Sequence, residues 1–212
     1  MMKWPSLKRD ILVPKQLLVE GRTPEIFFRQ WVEALGLKQK IEVRDYGSLG
    51  QLTDFLKLFT GFKEFKETVE SVGIIRDAED KKAASAFDSV CASLRAVGLA
   101  CPERLGSFGV GPKRTGIFVL PDCDRPGMLE TLCWTILEKD PKRRQEVDCV
   151  MAHLRCLGAA GVQAGNPHKA KVWTYLAGRG EFDPQVGRAA QHNVWDWNSP
   201  ALAGLTGFLQ SL

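Results

Sequence analysis

Val72-Gly73-Ile74-Ile75 is a continuous apolar run that ends abruptly on Arg76-Asp77-Ala78-Glu79-Asp80. Such a run fits a strand buried on both faces, the environment of a strand inside a parallel sheet. Similar short apolar segments recur along the chain, and helical patterns stand between them. Strands alternating with helices indicate an α/β layer fold around a mostly parallel sheet.

The individual segments carry this reading. Residues 15–20 form a short buried strand ending on Glu20. Gly21-Arg22-Thr23-Pro24 is a turn, with Pro24 suited to the first position of a helix and Thr23 to its cap. Phe27, Phe28, Trp31, Val32 and Leu35 recur at helical spacing, and Gly36 closes that helix. Residues 41–44 are a short strand, and Leu49, Leu52, Phe55, Leu56 and Phe59 mark a second amphipathic helix stopped near Gly61. The strand holding the apolar run is predicted over 68–76. Ala84, Phe87, Val90, Cys91 and Leu94 mark a third helix. The Gly-rich segment 105–116 is a hairpin or loop, and the strand over 115–120 ends at Pro121-Asp122-Cys123-Asp124. Leu129, Leu132, Cys133 and Ile136 mark a fourth helix. Val147, Val150, Met151 and Leu154 mark a fifth, after the basic start Lys142-Arg143-Arg144. A loop is expected over 158–166, and helices over 168–176 and 200–209. No repeat, low-complexity tract or linker divides the chain. The expectation is one domain over 1–212, with a core at about 15–140 and a helical C-terminal part at about 141–212.

Composition narrows the class. With 44% apolar and 25% charged residues, the chain is neither a disordered tail, a collagen-like fibre nor a disulfide-dense mini-protein. A chain of 212 residues buries roughly 70% of its unfolded surface and needs no staple. The net charge of +4, from 29 basic and 25 acidic residues, is too mild to identify a nucleic-acid binder by itself. The six cysteines, at 91, 101, 123, 133, 149 and 156, form no C-x-x-C pair. A structural zinc site is therefore not expected, and the cysteines read as small apolar residues with reduced thiols. The N-terminus lacks the apolar region and cleavage site of a signal peptide, and no apolar run approaches the ~20 residues that span a bilayer. These features point to the cytoplasm and away from a membrane.

The chemistry-bearing residues sit at strand ends. Glu20 follows the first strand, Asp77 and Glu79 (then Asp80) follow the third, and Asp122 and Asp124 follow the fourth. Acids on neighbouring parallel strands converge on one edge, where α/β folds place their sites. Clustered carboxylates repel unless a cation neutralises them, and an oxygen-only donor set suits Mg²⁺ or Mn²⁺. Glu130, within two helical turns of Asp124, adds an oxygen. The competing structural role is helix capping, which acids at strand ends also perform.

Leu17-Leu18-Val19-Glu20-Gly21 before a helix, and Gly73-Ile74-Ile75-Arg76-Asp77-Ala78-Glu79-Asp80, resemble the Toprim domain. In that family a glutamate ends the first strand and an Asp-x-Asp ends a later one; primases, topoisomerases and the OLD-family nucleases are members. Further segments are similar to small stand-alone Toprim-like proteins of unknown function: Leu120-Pro121-Asp122, Gly127-Met128-Leu129-Glu130-Thr131-Leu132, His168 to Ala177, Val186 to Ala190, Trp195 to Ala201, and the Leu-x-x-Phe-Leu of 205–209. The resemblance spans about 15–210 and implies a Toprim-like, Rossmann-like α/β fold with a mostly parallel central sheet, flanking helices and a helical C-terminal part. It also implies metal-dependent phosphodiester cleavage. Glu20, Asp77 and Lys171 take the catalytic positions, and Glu20, Asp77, Glu79, Asp80, Asp122 and Glu130 form the pool of ligands to Mg²⁺ or Mn²⁺. Glu79 stands where the family has its second aspartate, Glu130 matches the acid of a Leu-Glu pair, and Lys171 matches the basic residue of OLD-like sites. Many nuclease members carry another acid four residues after the first glutamate. Here that position is Pro24, and neighbouring Glu25 is turned about 100° around a helix.

Two readings stay open. One is a Toprim-type nuclease acting on DNA or RNA; the other is a non-catalytic module that binds nucleic acid or an ATPase partner, which Pro24 favours. Toprim-like nucleases often work beside ABC-type ATPases in anti-phage defence, so such a partner follows by analogy. Other signals have plainer explanations. Gly106 to Arg114 is not G-x-x-x-x-G-K-[ST] and precedes a strand, so it is not read as an ATP loop. His153, His168 and His192 read as surface or core residues. Lys81-Lys82, Lys113-Arg114 and Lys142 to Arg144 suit a phosphate backbone but also any solvated face. Trp195 and Trp197 suit base stacking, yet packing of the C-terminal segment onto the core accounts for them better.

Overall fold

The apolar run around Gly73 lies in a strand whose first six residues are all buried, as its composition requires. The computed structural model describes residues 4–8 and 10–212. In chain order the elements are β1 (Lys15–Val19), α1 (Arg22–Ala34), β2 (Ile41–Asp45), α2 (Leu52–Gly61), α3 (Lys63–Thr68), β3 (Ser71–Asp77), α4 (Ala83–Arg95), β4 (Phe108–Gly109), β5 (Arg114–Leu120), α5 (Leu129–Lys139), α6 (Arg144–Ala159), α7 (Pro167–Ala177), α8 (Val186–Gln191) and α9 (Ala203–Ser211). The five strands form one sheet in the order β2-β1-β3-β5-β4. All neighbours run parallel except the short edge strand β4, which returns antiparallel on β5. This α/β architecture, a mostly parallel sheet between helices, is consistent with a Toprim-like fold. Among the described residues no helix is long and apolar enough to cross a membrane.

Side-chain alternation sends each strand's residues to two covered faces. On one face Leu17, Val19, Ile75, Phe118 and Leu120 pack with Phe27, Phe28 and Trp31 of α1 and with residues of α5, α7, α8 and α9. On the other, Leu18, Val72, Ile74, Ile117 and Val119 pack with Phe55 and Phe59 of α2 and Val90 and Leu94 of α4. The glycine inside the apolar run has a packing reason. A Cβ at Gly73 would lie 3.1 Å from the Leu212 side chain and 3.2 Å from that of Leu17. Ser71 Oγ donates to the Leu212 carbonyl at 2.7 Å, which seats the last residue on the sheet.

Several boundaries differ from the sequence reading, each for a local reason. The strand expected from 68 begins at Ser71, because Lys63–Thr68 forms a helix and Phe65 packs edge-on against Phe59, with centroids 5.0 Å apart. α1 starts at Arg22 with Gly21 as cap. Gly21 has φ 91°, and its N–H donates to Asp45 Oδ1 at 2.8 Å. Thr23, expected as the cap, donates its hydroxyl to Gln185 Oε1 at 3.2 Å instead. α6 continues to Ala159, into the expected loop. Cys91 and Cys101 are joined in a disulfide, with Cα atoms 5.3 Å apart. Their spacing of ten residues has no motif to announce it, and the expectation of reduced thiols is corrected for this pair. Trp195 and Trp197 pack inward: Trp195 Nε1 donates to the Val186 carbonyl at 3.0 Å, and Trp197 stacks on Trp31 at 6.0 Å.

α8 had no periodic signal, yet it packs closely on α1. A Cβ at Gly187 would lie 2.7 Å from the Thr23 carbonyl oxygen and 3.0 Å from Ile26 Cβ. Backbone cannot yield as a flexible side chain does, so Gly187→Ala is expected to destabilise by about 1–3 kcal/mol through overpacking. Urea unfolding of the purified variant reads this directly; an unchanged midpoint at unchanged slope would show that α8 shifts freely.

Candidate functional site

The acids leave the sheet at its carboxyl edge. β1 and β3 are neighbours with Leu18 opposite Ile74, which sets Glu20 beside Arg76. β3 and β5 are neighbours with Asp77 opposite Leu120. Glu20, Asp77 and Asp122 therefore share one rim, but alternation separates two of them by face. Glu20 and Arg76 continue the face of Leu18 and Ile74, whereas Asp77 continues that of Ile75 and Leu120.

Each face supplies its own partners. The Tyr46 hydroxyl donates to Glu20 Oε2 at 3.4 Å, and Arg76 Nε lies 3.9 Å from the same oxygen. Tyr46 and Arg76 are buried. On the opposite face Asp77 Oδ1 accepts the Leu129 N–H at 3.0 Å. Leu129 opens α5, so Asp77 satisfies one of that helix's unpaired donors and meets the positive end of its dipole. This is the capping role that competed with metal ligation in the sequence, and one oxygen of Asp77 performs it.

The loops behind β3 and β5 are clamped together. Glu79 N–H donates to the Gly127 carbonyl at 2.7 Å, and Gly127 N–H returns a bond to the Glu79 carbonyl at 2.8 Å. Glu79 holds φ 55°, an unusual conformation for a residue other than glycine. At Gly127 a Cβ would lie 2.8 Å from Thr131 Oγ1 and 3.1 Å from Pro121 Cδ, so only glycine fits there. The clamp brings the start of α5, with Glu130, next to the end of β3.

Charge and burial then act on Asp77. Burial pushes its carboxyl up to about 7, aided by the negative charges of Glu130 and Glu20 and less by Glu79, while the Leu129 N–H opposes the rise. Burial first, then Glu20, raises the Tyr46 hydroxyl well above its ordinary value. Cys133, in the second turn of α5, is raised by burial and then by Glu130 and Asp77. Asp77 thus feels the charge of three other expected site residues, Glu130, Glu20 and Glu79.

The remaining candidates are placed differently. Asp122 turns to its own loop: Oδ2 accepts Arg125 Nε at 2.7 Å, and Oδ1 accepts the N–H groups of Asp124 and Arg125. Burial raises its pKa, but these hydrogen bonds outweigh that and hold the carboxyl below its usual range. Asp80 is exposed on the turn before α4. Lys171 Nζ stands 5.8 Å from the Trp134 ring centroid, one helical turn along α5 from Glu130. Glu25 is buried and lies 2.6 Å from Arg22 and 3.3 Å from Arg29, engaged along α1. His153 and His192 are exposed, and His168 is partly buried in the first turn of α7. Gly106 to Arg114 forms the β4–β5 hairpin, not a phosphate loop.

The donor chemistry at the rim, carboxylate oxygens crowded around Asp77, fits a hard divalent ion. The side chains are not drawn into a closed set, however: among the described residues no group of three or more His, Cys, Asp or Glu is arranged to hold a metal. Glu20 on the other face, facing Arg76 and Tyr46, accounts for part of this. Sequence reasoning missed Tyr46, Arg76, the Leu129 N–H and the Gly127 clamp. Arg76 was visible next to Asp77; the others depend on strand pairing and loop contact.

Comparison with known proteins follows from this geometry. No curated protein matches the chain. Among solved structures, the C-terminal region of the Xanthomonas campestris pv. campestris OLD protein phased with mercury is similar at 13% identity and a TM-score of 0.49, over 95% of this chain and 97% of that one. The same region phased with iodine gives 13% identity and 0.49, over 95% and 96%. A family model described as a protein of unknown function, DUF3226, matches residues 14–212, nearly the whole sheet-and-helix unit described above, and the chain belongs to that family.

Proposed function

We propose that the rim binds Mg²⁺ or Mn²⁺ through Asp77, Glu79 and Glu130, with Glu20 and Asp80 as further oxygen donors, and that the protein hydrolyses phosphodiesters in DNA or RNA. The observation that supports this reading is the crowding of negative charge on Asp77. Its carboxyl is largely enclosed, feels Glu130, Glu20 and Glu79, and rises to about 7. A buried acid held against three others is destabilising unless a cation relieves it, and perturbed groups of this kind cluster at functional sites.

When bound, the ion supplies Lewis-acid stabilisation of the phosphate and a water of lowered pKa. The chain's own residues do the rest. The Leu129 N–H fixes one oxygen of Asp77 and leaves the other available. Arg76 and Tyr46 hold Glu20, which tempers the negative charge that would repel a phosphate. Lys171, over α5, offers a cation for a phosphate oxygen or for the leaving oxygen. An ABC-type ATPase partner, a role in anti-phage defence and a cytoplasmic location accompany this reading.

A second reading has its own support. Glu20 is already paired with Arg76 at 3.9 Å, and Pro24 occupies the position where many nuclease relatives carry an acid. Both favour a module that binds nucleic acid or an ATPase partner without cleaving. Calorimetric titration of the protein with Mn²⁺ and Mg²⁺, followed by cleavage of end-labelled DNA and RNA, separates the two. Metal-dependent cleavage is expected. Nucleic-acid binding with neither metal heat nor cleavage would transfer the conclusion to the binding module.

A further inference from the structure

Cysteine is among the residue types most often fully buried, and Cys133 follows that rule. α6 breaks it twice, because Cys149 and Cys156 are both exposed. His153 stands between them and is exposed as well. Spacings of four and three residues place the three side chains within an arc of about 60° on the helix surface. Val147, the one residue that α6 buries, points elsewhere.

Thiolate sulfur and imidazole nitrogen are ligands of the zinc class of ions, which take them in tetrahedral sets at about 2.0–2.3 Å. The acids of the rim, by contrast, suit hard ions. Helix positions four apart hold their Cβ atoms about 5–6 Å from each other, a span that two ligands bridge when they share an ion, as the paired histidines of metalloprotease helices do. Cys149 and His153 have that spacing. Cys149 and Cys156 are roughly 10 Å apart along the axis, too far for both thiolates to reach one ion. One copy of α6 therefore offers two ligands of the four required. That agrees with the finding that no group of three or more metal-ligating side chains is assembled among the described residues. Sequence reasoning set zinc aside for want of C-x-x-C; a helical pair four residues apart escapes that test.

We propose that α6 carries half of a zinc-class site, Cys149 with His153, and that a second copy of this chain completes a Cys₂His₂ set across a two-fold axis. An isologous contact brings the same pair from each copy, so the symmetry itself supplies the missing ligands. The positions are exposed, and the side chains can rotate onto an ion without disturbing the core.

The test uses the full chain under a non-chelating reductant, with light scattering for mass and Co²⁺ substitution for coordination. Zn²⁺ is expected to double the mass at one ion per two chains. Co²⁺ is expected to give a thiolate charge-transfer band and strong tetrahedral d–d absorption. Cys149→Ser and His153→Ala lose both signals, and Cys156→Ser keeps them. Asp77→Asn also keeps them, which separates this site from the rim. Absence of the charge-transfer band in the wild type overturns the site. A band without doubled mass overturns the bridge, and a band retained in Cys149→Ser overturns the ligand assignment.

Discussion

Asp77→Asn is expected to raise stability above neutral pH, to remove the stabilisation that Mg²⁺ or Mn²⁺ gives the wild type, and to abolish metal-dependent cleavage. The sign follows from proton linkage. In the unfolded chain an aspartate titrates near 3.9, whereas in the fold burial and the charges of Glu130 and Glu20 push Asp77 up to about 7. Between those values the folded protein binds more protons than the unfolded one, so this group's contribution falls as pH rises, by up to about 1.4 kcal/mol per pH unit. It is fully favourable below about pH 4, where the unfolded chain is also protonated, and is lost once pH passes the folded value. Asparagine keeps the oxygen that accepts the Leu129 N–H at 3.0 Å and removes the charge. Wild type and variant should therefore match near pH 4, diverge as pH rises to about 7 and stay apart above it, the variant gaining about 1–3 kcal/mol there once the weaker neutral hydrogen bond is set against the relieved repulsion. For a chain of this size that is roughly 2–4 °C in Tm for each kcal/mol. Metal reverses the order, because a cation neutralises the wild-type cluster and has less to hold in the variant. Loss of the ion is expected to lower cleavage by about 10² or more. Thermal unfolding at several pH values, with and without metal, reads the first two effects; labelled DNA and RNA read the third. Identical pH profiles for wild type and variant would mean that Asp77 is not crowded in solution.

The route from residues to this site was legible in some parts and closed in others. Val72 to Ile75 announced a strand covered on both faces, and the alternation of apolar runs with helical spacings gave the parallel sheet found between two core layers. α3 and α8 escaped because six-residue helices hold too few turns to show a period. The glycine cap of α1 escaped because a positive φ leaves no mark in the sequence. At the rim, the order of Glu20 and Asp77 was readable but their faces were not. Facing depends on register, and Leu18 opposite Ile74 is a property of two strands together. The partnership of Asp122 with Arg125 is a four-residue turn that any Asp-x-x-Arg allows and none requires. Its position at a strand end showed the rim it shares with Asp77 but not the loop partners its carboxylate takes.

The largest loss of stability outside the rim is expected from Arg44, a residue that no motif singled out. It is fully buried on β2, the strand at one end of the sheet. Its Nε donates to Gln16 Oε1 at 2.7 Å, Nη1 to the Ser6 carbonyl at 2.6 Å and Nη2 to the Asp10 carbonyl at 2.8 Å. The guanidinium lies 5.5 Å from the Phe59 ring centroid. One side chain thus ties the segment before β1 to β1 and β2, and through Phe59 to α2. A planar fork of donors suits three acceptors in different directions, which an ammonium cannot match. Arg44→Met keeps the apolar stem but strands the Gln16 and Ser6 oxygens in the interior, whereas Asp10 is exposed and its carbonyl turns to water; each buried acceptor left unpaired costs about 1–3 kcal/mol. Part of that returns as water reaches the loosened segment, so the expected loss is about 3–5 kcal/mol, the range for breaking buried charged networks. Arg44→Lys keeps the charge and a single donor group, and is expected to recover less than half of it. Urea unfolding gives the magnitude, and limited proteolysis gives the mechanism. Cleavage before residue 15 should become fast in Arg44→Met while the β3 and β5 region stays protected, because those strands pair with each other independently of β2. Metal binding at the rim should persist in folded Arg44→Met, since neither Asp77 nor Glu130 touches this network. A variant that unfolds at the wild-type midpoint would show that the segment before β1 is held by its apolar contacts, Trp4, Leu7 and Ile11, and not by Arg44.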